Sequence, residues 1–430
     1  METAEALLEM LHDGGCDGAL GKLYAPDGGA ALERARSRAE RVTELYQTYF
    51  STRQGAGLYS GPGRTELGGN HTDHQHGHVL CGSVDMDMLA CAGANGSQVI
   101  HVLSEGYPAL AVDLSEAGPV EAERNTSAAL VRGVASKIRA LGHEVGGFDA
   151  VVTSDVLSGS GLSSSAAYEI LMGNIINHLF CGDALDAIEL AKVGQYAENV
   201  YFGKPCGLMD QMGASVGGCI AIDFHDPAAP DVRKVGYDFS ASGHVLCIID
   251  TGSCHADLTD DYADIPREMG AVAAHFGKKF LRDVPEADFR AELPSLRETC
   301  GDRAVLRAMH YYEDDRRAIA EADALDAGDF PRFLSLVNAS GLSSALSLQN
   351  HWSPSNPSQQ AIPLALHVGR ELLDGTGAIR VHGGGFAGTI QAFVPTDKLD
   401  AFKTGMEALC GQGRCHVMRI RPQGGCVAFV

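Results

Sequence analysis

The 430-residue sequence has no apolar run near the roughly 20 residues that span a bilayer, so no membrane-crossing helix is expected. Basic residues are scarce: 33 Lys and Arg stand against 55 Asp and Glu, a formal net charge of -22. That balance argues against nucleic acid and anionic membranes as partners. The 12 cysteines are scattered singly and form no CxxC pair, so reduced thiols are expected rather than disulfides. The opening Met1-Glu2-Thr3-Ala4-Glu5 lacks the basic-then-apolar order of a secretory signal, and a cytoplasmic location is expected. No low-complexity tract, long linker or internal repeat stands out. A Walker A loop is missing too. The pairs Gly21-Lys22, Gly203-Lys204 and Gly277-Lys278 are followed by Leu, Pro and Lys, where Ser or Thr is required.

What is present fits a soluble protein of mixed secondary structure. The chain is 45% hydrophobic, 20% charged and 7% aromatic, and its length favours two domains. Leu32, Ala35, Ala39, Val42, Tyr46 and Phe50 recur at helical steps and predict an amphipathic helix over 30–54. Phe148 to Leu157 reads as a strand, followed by a Ser158-Gly159-Ser160-Gly161 turn and a helix from about Leu162 to Phe180. A second helix is predicted from Ala184 to Val200, ended by Gly203 and Pro205. Cys219–Phe224 and Val245–Asp250 read as strands, and Gly383-Gly384-Gly385 as a hairpin tip. The lack of a regular βαβ period favours α+β. Asp and Pro cluster at Asp226-Pro227-Ala228-Ala229-Pro230-Asp231, which places a domain boundary within 225–240 and divides the chain into 1–232 and 233–430.

Four segments carry candidate chemistry. In the turn from Ser158 to Ala167, Gly159 and Gly161 allow close backbone approach, and Ser163, Ser164 and Ser165 stand where a helix N-terminus exposes free N–H groups. This is either a phosphate site or a plain Gly/Ser cap. In so acidic a chain, a phosphate site has to be built locally. In Pro205-Cys206-Gly207-Leu208-Met209-Asp210-Gln211, Asp210 is placed to accept a proton, while Glu198 on the preceding helix offers a hard oxygen for Mg²⁺. A surface carboxylate is the plain alternative for each. Between Gly63 and His78, His71, Asp73, His74, His76 and His78 crowd beside glycines. Their spacing is not a familiar zinc pattern, and a polyhydroxyl ligand suits them equally. Gly213-Ala214-Ser215-Val216-Gly217 matches a hydrolase elbow by letter, but no apolar strand precedes it, so chance packing is expected.

Together these segments resemble the galactokinases of the GHMP family of small-molecule kinases. Gly61-Pro62-Gly63-Arg64 with Gly69-Asn70-His71-Thr72-Asp73 resembles the galactokinase signature. Gly159-Ser160-Gly161-Leu162-Ser163-Ser164-Ser165-Ala166-Ala167 resembles the phosphate loop, Pro205 to Gln211 the loop of the catalytic Asp, and Val381 to Gly388 the third family motif. All four stand in family order, so the likeness covers nearly the whole chain. It implies two α+β domains with the active site in the cleft between them, and phosphorylation of the anomeric hydroxyl of galactose by ATP with Mg²⁺. Asp210 matches the proton acceptor, and Arg64 the cation beside it that offsets charge on the moving phosphoryl group. Ser165 and Glu198 match the Mg²⁺ ligands. Gly159, Ser160, Gly161, Leu162, Ser163, Ser164, Ser165 and Ala166 would wrap the triphosphate. Asn70, His71, Asp73, Gly207 and Tyr262 fall where family members touch the sugar. A monomer or weak homodimer is expected.

The departures bear on the substrate. The family carries Glu, which binds the sugar's 6-hydroxyl, where this chain has Asn70; it prefers Asn and an apolar residue where Glu66 and Gly68 stand. Asp73-His74-Gln75 replaces the usual Asp-Tyr pair and resembles plant galacturonate kinases, and Leu157 replaces the usual Pro. Loss of the acid at 70 would tolerate a carboxylate at C6, so galacturonate or another C6- or C2-modified galactose is the alternative substrate. A third possibility is a sugar and ATP sensor without catalysis.

Overall fold

The computed structural model describes residues 2–24, 28–50, 55–116, 118–156, 161–253, 258–386 and 388–430. Among these residues the strands are β1 (Gly57–Gly68), β2 (His78–Ala94), β3 (Val99–Ser104), β4 (Leu110–Asp113), β5 (Phe148–Ser154), β6 (Cys219–Asp223), β7 (Asp231–Val235), β8 (His244–Asp250), β9 (Ala378–Val381), β10 (Thr389–Pro395), β11 (Cys415–Met418) and β12 (Cys426–Phe429). They form two sheets. The larger runs β12-β1-β2-β5-β3-β4, with β6 on β2 and β7 on β6; the smaller runs β11-β8-β10-β9. Every pairing is antiparallel except β3 with β5. The long β2 serves two neighbours. Its residues His78–Gly82 pair with β6, and Met88–Ala94 pair with β5. The expected α+β class is thus observed, with the two sheets separate and helices packed around them.

Both faces of the larger sheet are covered, and the strand residues sort by their two-residue period. Leu58, Leu89, Cys91 and Val151 face one side. There they meet α1 (Ala4–His12), α2 (Asp17–Tyr24) and α3 (Gly29–Tyr49) through Leu7, Leu11, Leu20, Ala39 and Val42. The two short helices α1 and α2 thus extend the cover formed by α3. The helix expected over 30–54 ends at Tyr49, and Gln54 lies outside the described residues. Tyr59, Ala90, Ala92 and Val152 face the other side. They meet α4 (Ser127–Ala140) and α5 (Ser164–Cys181) through Val131, Val134, Ile170 and Leu171. Burial on both faces explains why every residue of β1 is buried.

The helix expected over Ala184–Val200 is two elements. The α6 helix (Ala187–Tyr196) opens with a capping box formed by Asp186 and Glu189 and passes into a wider π turn over Ala197–Phe202. After it comes α7 (Met209–Val216). The elbow-like Ser215 lies on α7, buried, donating its hydroxyl to the Ala187 carbonyl at 2.7 Å, so its role is packing. The hairpin around Gly383–Gly385 joins β9 and β10 as expected. Helices Ala361–Leu373 and Leu399–Cys410 back the smaller sheet through Ile362, Leu366, Phe402 and Met406.

Two features tie the sheets together. The 25-residue helix Asp302–Asp326 reaches the turn between β1 and β2, where Asp314 accepts from the Asn70 N–H at 2.8 Å and Asp315 accepts from the His78 N–H at 2.6 Å. The chain then returns from the smaller sheet to the larger: Leu58 pairs with Phe429, Tyr59 with Val427 and Ser60 with Cys426. Beneath that pairing, buried Arg421 donates to Ser60 Oγ at 2.7 Å and to Asp87 at 3.1 Å. No helix among the described residues is long and apolar enough to cross a membrane. The 11 described cysteines are free thiols.

Candidate active site

A cleft of about 680 Å³ opens between the sheets. Arg64, Glu66, His71, Asp73, Gly207 and Asp210 line it from the first half of the chain, and Tyr262 with Gly383 and Gly384 from the second. Arg64 sits on β1 opposite Ser83 of β2. Asp210 sits in the first turn of α7, where the helix dipole favours an anion. The two meet closely: Arg64 Nε and Nη2 stand 2.7 and 2.6 Å from Asp210 Oδ1. Arg64 also donates to the Gly161 carbonyl, and its N–H donates to the Leu162 carbonyl at 3.1 Å. The second carboxylate oxygen of Asp210 accepts from Ser163 Oγ. One arginine and one aspartate thereby fix the start of α5 against the start of α7. Asp210 is about 29% exposed at its side chain against 8% for Arg64, so the carboxylate presents an open side to the cleft.

Ser163 holds a left-handed backbone (φ 55°), which is strained for a residue with a Cβ. Its hydroxyl is used by Asp210 rather than as a helix cap, so the first N–H groups of α5 have no side-chain cap among the described residues. Ser165 Oγ donates to Glu198 Oε1 at 3.0 Å, and Gln211 donates to Glu198 Oε2 at 2.9 Å. The π turn brings Glu198 inward, only 2% exposed. Gln211 also bridges to Glu169, whose other oxygen is buried without a partner. Burial, and next the neighbouring Glu198, push the Glu169 carboxyl well above its usual range. Sequence reasoning had not singled out Glu169. Its only signal is a carboxylate on the otherwise apolar face of α5. Of the expected phosphate loop, Gly161, Leu162, Ser163, Ser164, Ser165 and Ala166 line up at this helix start, whereas Leu157, Gly159 and Ser160 lie outside the described residues.

The signature residues divide. His71 lies in the cleft with Nε2 donating to the Gly384 carbonyl at 3.0 Å, which leaves Nδ1 as an acceptor. Burial pushes its pKa down to about 4, so the ring is neutral. Asp73 opens a 3₁₀ turn and lies against Gly207, where a Cβ would come within 2.7 Å of the carboxylate and push it aside. Burial raises the Asp73 pKa. Tyr262 closes the far wall, its hydroxyl donating to the Gly385 carbonyl at 3.1 Å. Asn70 is fully buried and stands behind the cleft wall rather than in it. Of the histidines of this segment, His71, His74 and His76 line the cleft, His71 edge-on to His74 and His76 stacked on Phe280, while His78 lies between Asp223 and Asp315. Among the described residues no three His, Cys, Asp or Glu converge as a metal-binding group.

Two family models match the chain: the galactokinase galactose-binding signature over residues 44–94, and the GHMP kinases N terminal domain over 129–218. A galactokinase of Streptomyces coelicolor is 31% identical over 373 residues, covering 86% of this chain and 91% of that protein. Among solved structures, Lactococcus lactis galactokinase complexed with galactose is similar with a TM-score of 0.75 at 22% identity, covering 90% of this chain and 99% of that one. Mevalonate kinase of L. major in complex with R-mevalonate is more distant, with a TM-score of 0.59 at 15% identity over 86% and 97% of the two chains.

Proposed function

The chain belongs to the galactokinase family, and on that premise we propose that it transfers the γ-phosphoryl group of ATP to the anomeric hydroxyl of galactose, giving galactose 1-phosphate and ADP. The observation that carries the chemistry is the Arg64–Asp210 pair at the cleft wall. As the sugar oxygen bonds to phosphorus and the bond to ADP breaks, Asp210 takes the hydroxyl proton on its open side. Arg64 orients that carboxylate and carries positive charge next to the start of α5, where the phosphates are held by free N–H groups. Phosphoryl transfer asks mainly for positioning and charge stabilisation, which this arrangement supplies. His71 and Asp73 offer acceptors for sugar hydroxyls, and Tyr262 and Gly207 shape the walls.

The hydroxyl of Ser165 and the carboxylate of Glu198, 3.0 Å apart at the helix start, are hard oxygen donors that fit a magnesium ion. Bound there, the ion would neutralise charge on the β- and γ-phosphates. Gln211 holds Glu198 in place. The relatives described above favour galactose over a sugar with a C6 carboxylate. We further assign 1–232 and 233–430 as the two domains, with β12 returning to the first, and expect a cytoplasmic monomer or weak homodimer. The test is ADP release by the pure protein with MgATP and galactose, galacturonate, N-acetylgalactosamine, glucose and arabinose. Galactose should give the highest kcat/KM; ATP binding without turnover of any sugar would instead favour a sensor.

A further inference from the structure

The substitution of Asn for the family's acidic residue at position 70 does not leave the sugar wall without a carboxylate. Asn70 uses every polar group inside the protein. Its Nδ2 donates to Glu66 Oε1 at 3.0 Å and to the Gly383 carbonyl at 2.7 Å. Its Oδ1 accepts from Asn350 at 3.0 Å and from Ser344 at 3.4 Å. Its own carbonyl accepts from His310 at 2.9 Å. Nothing remains for a ligand, and the residue is absent from the cleft lining. Glu66, by contrast, lines the cleft beside His71, Asp73 and His74. The acid and the amide of the family signature have changed places: where the family has Asn then Glu, this chain has Glu66 then Asn70, and the two side chains touch.

The surroundings have adapted to the move. Glu66 Oε1 accepts from the buried Arg380 Nη2 at 2.7 Å, while Oε2 has no partner among the described residues. Arg380 is fully buried, donates Nη1 to Ser340 and Nη2 also to the Glu66 carbonyl, leaves Nε without a partner among the described residues, and does not line the cleft. Gly68, in place of the family's apolar residue, leaves room for the buried Glu321: a Cβ at 68 would stand 1.7 Å from its Oε2. An acid at 66, an amide at 70 and no side chain at 68 therefore form one rearranged unit.

We propose that Glu66 takes over the sugar-selecting carboxylate of the signature, its free oxygen accepting a hydroxyl of galactose and turning away a carboxylate at C6. The inference rests on the galactokinase reading. The physical reason is that a carboxylate accepts a hydrogen bond from a neutral hydroxyl, whereas a second carboxylate beside it meets like charge in a partly desolvated wall with no free cation. Arg64, the cation of the cleft lining, is already engaged by Asp210. Glu66 therefore acts on binding and selection, with the chemical step left to Asp210.

The experiment measures kcat and KM with galactose, 6-deoxygalactose and galacturonate for the wild type, Glu66→Gln, and the exchanged variant Glu66→Asn with Asn70→Glu. A hydrogen bond to a charged group corresponds to about 10- to 100-fold in affinity. Glu66→Gln should raise KM for galactose by about that factor, leave kcat within about threefold, and reduce the preference for galactose over galacturonate. The exchanged variant, whose carboxylate stands at 70 behind the cleft wall, should lose the preference as Glu66→Gln does. If 6-deoxygalactose shows no KM change on Glu66→Gln, the hydroxyl held is the one at C6. An unchanged galactose KM and sugar ratio in a folded Glu66→Gln protein overturns the inference. So does a wild type that uses galacturonate as well as galactose, a result that needs no variant to fold. Absence of turnover with every sugar defeats the galactokinase reading instead.

Discussion

Replacing Asp210 by Asn removes the proton acceptor while keeping its shape. Asp210 holds Arg64 through Oδ1, at 2.7 Å from Nε and 2.6 Å from Nη2, and receives Ser163 Oγ on the other oxygen. An amide preserves the oxygen toward Arg64 and turns its NH₂ toward Ser163, which accepts it. Alanine would instead strand a buried guanidinium, at about 3–5 kcal/mol, and confuse folding with chemistry. Weakening a charge-assisted hydrogen bond to a neutral one costs about 1–2 kcal/mol, so Tm should drop by only a few degrees. Loss of a positioned general base slows turnover by about 10²- to 10⁴-fold, or about 3–5 kcal/mol in the barrier. The assay is steady-state ADP release at saturating galactose and MgATP, with galactose affinity measured by calorimetry. Affinity should stay within about fivefold of wild type while kcat falls. If the variant keeps more than a tenth of wild-type kcat, Asp210 is not the proton acceptor.

Arg64→Lys should lower kcat by about 10- to 100-fold without unfolding, because one ammonium cannot reach both Asp210 and the Gly161 carbonyl as the guanidinium fork does; ADP release with a Tm control checks this. Glu321 is buried with both oxygens unpartnered, and burial raises its carboxyl well above the usual range. A raised folded pKa means stability is lost as pH climbs from about 4.5 through that value, at up to about 1.4 kcal/mol per pH unit. Glu321→Gln lacks this loss, so its Tm relative to wild type should increase with pH; a constant difference between pH 4.5 and 8 refutes it. His351 shows the opposite sign: burial pushes its pKa down to about 4, so the unfolded chain binds a proton that the folded one refuses. Wild-type stability is lost as pH falls from about 6.5 toward 4, and His351→Asn should gain on wild type across that window in the same melting series.

Much of this was legible from local pattern. Helical spacing marks α3 and α5 because each has one dominant packing direction or a breaker at its end. Asp210, Ser165 and Glu198 are marked by a breaker-flanked loop, a Gly/Ser turn before a helix and the helix that follows it, whereas Arg64 is marked only by the resemblance to the galactokinase signature. The π turn that swings Glu198 inward is not legible, since a one-residue change of winding leaves no mark in hydrophobic periodicity. The Glu66–Asn70–Arg380 contacts were also hidden. Residue-by-residue comparison flags Asn70 as a lost charge, and only the fold brings Glu66 against it, paired with an arginine from the smaller sheet. Pairings of that separation have no local signal. The same holds for the histidine segment, of which His71, His74 and His76 line the cleft while His78 turns to Asp223 and Asp315.

The return of β12 to β1 has a consequence for how the protein is made. The strand that carries Arg64 has its outer edge covered by residues 426–429. Until those are synthesised, β1 presents unpaired N–H and C=O groups at Leu58–Ser60, the kind of edge that recruits other chains. The first sheet can collapse early, but its border stays open through synthesis of the whole second half, so nascent and prematurely terminated chains share an aggregation hazard that the finished molecule does not have.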